Sequence, residues 1–153
     1  MGRKESREIA LHLIFELGFQ EFELDEIVSA RLEQSVLDSL AGDISLYAGS
    51  LDSDQKLYIT NTVVGVGNHL AELDEAISKY STNWNKERLP RITVAILRLA
   101  LYEMRYTEDV PTSAAINEAV ELAKKYDSKE ASGYINGILG AANRDGWEER
   151  KEA

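Results

Sequence analysis

Apolar residues in this chain recur every three or four positions far more often than every second one, which is the spacing of helices and not of strands. Ile9, Ala10, Leu13, Ile14 and Leu17 fall on one stripe of a helix over residues 3–17, and Gly18 stands where it would stop. A second helix is expected from Asp25, a good capping residue. Val28, Leu32, Val36 and Leu40 recur along it every four residues, and Gly42 closes it. Residues 42–52 read as a loop. Ser53 can cap a third helix reaching about Leu70. Gly65 and Gly67 lie inside it and each costs about 1 kcal/mol against alanine, so close packing is expected there. A short helix near Asp74–Tyr80 and a connector Ser81–Pro90, with Trp84 in it, complete the first half.

In the second half, residues 91–105 are apolar nearly all round, as a central helix covered by others would be. Pro111 interrupts, and Thr112 or Ser113 can cap the next helix, whose stripe is Ala115, Ile116, Ala119, Val120 and Ala123. Asp127 or Ser128 caps the last helix, and Glu130 three after Asp127 resembles a capping box. Ala131, Ile135, Ile138, Leu139 and Ala142 are its inward positions. Gly133, Gly137 and Gly140 share one side, which is expected to press against another helix backbone. The tail from Arg144 is polar apart from Trp147 and is expected to fray. The pattern predicts an all-α protein.

Size and charge refine this picture. The chain has 153 residues and 17.1 kDa, enough for one domain or two small lobes sharing a core. It has no cysteine, so disulfides, thiolate metal sites and cysteine nucleophiles are excluded. The net charge of −10 comes from 17 basic and 27 acidic residues. Residues 16–82 carry all of it, with three bases and thirteen acids, whereas residues 1–15 stand at +1 and residues 83–153 at −1. Bulk acidity opposes non-specific nucleic-acid binding but leaves room for a local basic patch built from the chain ends. Glu8, His12 and Glu16 interrupt the first apolar stretch, so neither a signal peptide nor a membrane span is expected, and the expected location is cytoplasmic.

No constellation of catalytic residues emerges. His12 and His69 lie on separate helices, each with carboxylates at helical spacing and neither near a second histidine, so no metal site is expected. Phosphate loops and nucleophile elbows are missing, and pairs such as Asp74–Glu75 sit in polar runs. A binding protein is the expectation. Two basic features remain. Arg3, Lys4 and Arg7 share one side at the start of the first helix, where cations oppose the helix dipole and so add nothing to helix stability. Arg91, Arg98 and Arg105 repeat at seven and are expected to pair with acids such as Glu103 or Glu118.

The order of motifs then becomes specific. WNKERL (84–89), AILRLALYE (95–103), Pro111, AINEAVELAK (115–124) and YINGIL (134–139) follow one another, with Gly65, Val66 and Asp74 upstream and REIALHLIF (7–15) at the start. This series resembles the NusB family of transcription antitermination factors from Arg3 to about Asn143. The resemblance implies an all-α fold of about seven helices in two lobes, with an N-terminal lobe near 1–82, a C-terminal lobe near 83–144 and a polar tail 145–153. It implies binding of boxA-type single-stranded RNA together with NusE, a protein of the small ribosomal subunit, within an RNA polymerase antitermination complex during ribosomal RNA synthesis. The family's basic stretch falls on Arg3, Lys4 and Arg7. Its I-N-E motif falls on Ile116, Asn117 and Glu118, and its F-V-N-G motif places the aromatic at Tyr134, followed by Asn136. RNA contacts are thus expected at Arg3, Lys4, Arg7, Glu118, Tyr134 and Asn136, and the protein partner at Glu87, Arg88 and Thr93. Because only the chain ends escape the acidity, the first and last helices are expected to meet and form one RNA strip. An interaction-only or homodimeric protein with weak RNA binding is the alternative.

Overall fold

The first helix, α1 (Arg3–Leu17), stops at Gly18, which adopts the left-handed φ of 57° that a side chain disfavours. At its other end the Gly2 backbone N–H donates to Glu5 Oε1 at 2.8 Å. That bond holds the Glu5 carboxyl below the usual carboxylate range. Ile9, Ala10, Leu11, Leu13 and Ile14 are buried along the helix. The computed structural model describes residues 2–18, 24–42, 44–81 and 89–147, and these contain eight α-helices and no strand.

The chain forms two compact units, Met1–Asn68 and His69–Ala153. In the first, α4 (Ser53–Asn68) packs against α1 and against α2 (Leu24–Arg31). Tyr58, Ile59, Thr62, Val63, Gly65 and Val66 are its buried residues. A reciprocal pair caps α4: Gln55 N–H donates to Asp52 Oδ1 at 2.8 Å, and Asp52 N–H donates to Gln55 Oε1 at 2.9 Å. The cap is therefore Asp52 and not Ser53. The helix expected from Asp25 to Leu40 is broken in two at Leu32–Glu33, where α2 ends and α3 (Gln34–Ala41) begins. After the break Leu37 is the buried position, and Val36 and Leu40 are only half-buried. A 3-10 turn, Ser45–Ala48, packs on α3 and carries Tyr47, whose hydroxyl lies 2.9 Å from His12 Nδ1.

In the second unit α6 (Arg91–Tyr106) contacts α5 (Leu70–Tyr80), α7 (Thr112–Tyr126) and α8 (Lys129–Arg144). Ile96, Leu97, Leu99 and Leu101 are each at most 1% exposed. Helix α5 packs on α6 and α8, so it belongs with this unit; the division expected near residue 82 lies one helix later in the chain. Helix α7 begins at Thr112, so Pro111 and not Thr112 or Ser113 holds its cap position. Ser128 caps α8, its hydroxyl accepting from Ala131 N–H at 2.9 Å, while the Asp127 carboxylate accepts a hydrogen bond from the Thr93 hydroxyl.

Two expectations about the chain end are overturned. Trp147 does not fray: it is 4% exposed, and its indole N–H donates to the Leu101 carbonyl at 2.9 Å. Gly133 and Gly137 do not press against another helix. Both are exposed, and an added Cβ at either would meet nothing within 4 Å. A Cβ on Gly140 would lie 3.3 Å from the end of the Arg144 side chain, not from a neighbouring backbone.

Candidate nucleic-acid interface

The three N-terminal cations have different environments. Arg3 is exposed and its guanidinium stacks over the Tyr58 ring, 4.2 Å from the centroid. Lys4 is exposed. Arg7 is only 6% exposed, beside Glu8 at 5%, so it is a buried charge and not a surface cation. The expected trio therefore reduces to Arg3 and Lys4 at the surface.

Two residues of the second basic row, Arg98 and Arg105, are held in ion pairs. Arg98 Nε and Nη2 donate to Asp74 Oδ1 and Oδ2 at 2.8 and 2.9 Å. Arg105 Nη1 donates to Glu72 at 2.6 Å, and its guanidinium lies 3.9 Å from the Trp147 ring centroid. Arg98 and Arg105 thus pair with acids of α5, where Glu103 or Glu118 was expected. Glu72 also accepts from the Tyr106 hydroxyl at 2.6 Å. Burial first, and then that bond, pushes the Tyr106 hydroxyl up to about 12. His69 stacks against the same ring, with centroids 4.3 Å apart.

The remaining predicted residues scatter over the second unit. Tyr134 and Glu118 are half-buried on α8 and α7, and Asn136 is exposed on α8. Thr93 is fully buried and hydrogen-bonded to Asp127, which closes it to a protein partner. Glu87 and Arg88 lie outside the described residues.

Asn136 opens into a groove of about 500 Å³ between α7 and α8. Ser113, Ile116, Asn117 and Val120 line its α7 wall at the helical spacing that puts them on one face. Ser132, Gly133, Asn136 and Asn143 form the α8 wall. All eight are uncharged in a chain of net charge −10. Asn117, Asn136 and Asn143 are exposed, and their carboxamides bond to no described residue, whereas the Ser132 hydroxyl donates to the Lys129 carbonyl at 2.6 Å. Asn136 is the one groove residue among the RNA contacts expected from the sequence; Ser113 and Asn143 carry no such expectation. The signal was a polar line at helical spacing beside the apolar stripe, readable only once the outward side of α8 is known.

The fold and this open groove define an all-α protein of two helical units whose surface features suit binding. The chain belongs to the NusB family, whose model matches residues 4–144. It is 40% identical to the transcription antitermination protein NusB of Acetivibrio thermocellus, over 99% of both chains. It is 38% identical to the protein of the same name from Thermoanaerobacter sp. strain X514, over 95% of this chain and 92% of that one. Among solved structures, NusB of T. maritima superposes with a TM-score of 0.74 at 25% identity, covering 98% of this chain and 92% of that one. A structure described as the antitermination factors NusB and NusE in complex with dsRNA shares the fold, with a TM-score of 0.69 at 22% identity over 94% of this chain and 96% of the other. Among the described residues no helix is long and apolar enough to cross a membrane.

Proposed function

We propose that this protein is an RNA-binding transcription antitermination factor. It binds boxA-type single-stranded RNA together with NusE, within the RNA polymerase complex on ribosomal RNA operons, in the cytoplasm. It acts by binding alone, without catalysis or a cofactor. The observation that carries this reading is the near full-length match to relatives named as transcription antitermination proteins. Two surface cations on α1 touch phosphates, and Tyr134 and Asn136 on α8 touch bases or sugars. The expected protein-partner surface is the stretch before and into α6, with Glu87 and Arg88 facing NusE and Thr93 fixing the helix start from inside.

One observation favours a strong dependence on the partner. With Arg7 buried, α1 has few cations for phosphates, so RNA affinity of the chain alone is weak. An electrophoretic titration with a boxA-type RNA, run with and without NusE, tests both points. The expected result is a faint shift alone and a tight ternary complex with NusE. No shift under either condition, together with a homodimer in sedimentation, would establish the interaction-only alternative.

A further inference from the structure

A glycine in a helix interior costs about 1 kcal/mol against alanine. The usual compensation is close approach of another element, and here none exists among the described residues. Gly133 and Gly137 face open space, and Gly133 lies in the wall of the α7–α8 groove. Beside it stand three exposed carboxamides that bond to no described residue, with two aliphatic side chains of the α7 wall, Ile116 and Val120. Its described lining carries no charge, so none of those side chains forms an ion pair with a phosphate. A carboxamide offers a donor and an acceptor side by side, which matches the edge of a nucleobase. The missing side chain at position 133 lets a flat ring lie against the helix backbone, and Ile116 and Val120 supply apolar contact.

From this we infer that the α7–α8 groove receives one unpaired nucleobase of the bound RNA and reads its edge through Asn117 and Asn143 beside Asn136. The inference rests on the RNA-binding reading above and adds to it a division of labour: the cations of α1 hold the phosphates, and the groove selects the base. Such a contact contributes to affinity without releasing counterions, so it leaves the salt dependence untouched.

The test uses the full chain with NusE and a fluorescent boxA-type RNA, titrated by anisotropy at several salt concentrations. Two variants are compared with wild type: Asn117→Ala, which removes a carboxamide, and Gly133→Leu, which fills the groove. Neither position is packed, so both variants keep the wild-type melting temperature or exceed it. Each is expected to weaken RNA binding about tenfold, the scale of one lost base-edge contact, with the slope of log Kd against log salt unchanged. Replacing the RNA bases one at a time by abasic sugars should reveal one position at which the variants no longer differ from wild type. Wild-type affinity in both variants overturns the inference, as does a changed salt slope or an effect that survives at every abasic position. Loss of NusE binding measured without RNA would assign the groove to the protein partner instead. A wild-type chain that binds no RNA with NusE present would remove the RNA reading and this inference together, an outcome distinct from intact wild-type binding with silent variants.

Discussion

Arg98 meets Asp74 fork to fork, both nitrogen–oxygen distances falling below 3.0 Å, and the pair joins α6 to α5 with each side chain only about one-fifth exposed. The geometry is the bidentate one that makes an arginine–carboxylate pair strong and directional. Removing the acid alone leaves a half-buried guanidinium without its partner. Asp74→Ala is therefore expected to lose about 2 kcal/mol, less than for a fully buried pair because water still reaches the site. The double replacement Asp74→Leu with Arg98→Met should recover most of that loss in urea unfolding. Simple addition of two separate losses would show that the pair contributes little.

Trp147 closes the second unit. Its indole bonds to the Leu101 carbonyl and lies under the Arg105 guanidinium. Trp147→Ala is expected to destabilise the protein by about 3 kcal/mol through lost burial and the cavity left behind. Chemical denaturation measures it, and a loss under about 1 kcal/mol would mean that the site collapses freely around the gap.

The exposed helical glycines give the opposite sign. Gly137→Ala fills open space and gains helix propensity, so it should stabilise by up to about 1 kcal/mol and raise the melting temperature by about 2–4 °C. A lower melting temperature would mean that an unrecognised neighbour occupies that face.

Alkaline pH should expose the Tyr106–Glu72 bond. Burial and that bond raise the Tyr106 hydroxyl from its ordinary 10.0 to about 12. The folded chain thus holds this proton more tightly than the unfolded chain does. The resulting stability is complete below pH 10 and is lost as pH rises toward and through 12. Burial pushes Tyr47 and Tyr102 in the same direction. Melting temperatures recorded across this window should fall less steeply for Tyr106→Phe than for wild type; parallel curves would refute the assignment.

Arg7 and Lys4 separate folding from RNA binding. Arg7→Glu places a second acid beside buried Glu8 and is expected to unfold the chain or lower its melting temperature sharply. Lys4→Glu should melt like wild type while weakening boxA-type RNA binding and flattening its salt dependence. Normal melting of Arg7→Glu would mean that Arg7 swings readily to the surface.

What the sequence reveals depends on the range of the forces involved. Helix α1 was legible to the residue because its stripe and its glycine stop are both local. The break between α2 and α3 was not, since Val28, Leu32, Val36 and Leu40 keep a regular spacing through Leu32–Glu33 with neither proline nor glycine to mark it. The need of Arg98 for an acid could be read from its apolar surroundings, but Asp74 lies 24 residues away and no periodicity points to it. Glycine spacing showed that Gly133 and Gly137 share a face and could not say whether that face looks inward, because the cost to the helix is the same either way. In the candidate interface the loss of Arg7 to the interior follows from tertiary burial that no short motif encodes.

Residues 1–68 contain no tryptophan, and Trp147 lies in the unit that begins at His69. It has a guanidinium fixed above its ring and is sheltered from solvent, so its emission senses the packing of that second unit. A fluorescence melt of a Trp84→Phe chain follows the second unit through Trp147, and its comparison with a melt followed by helical circular dichroism tells whether the two units unfold in one step or in two.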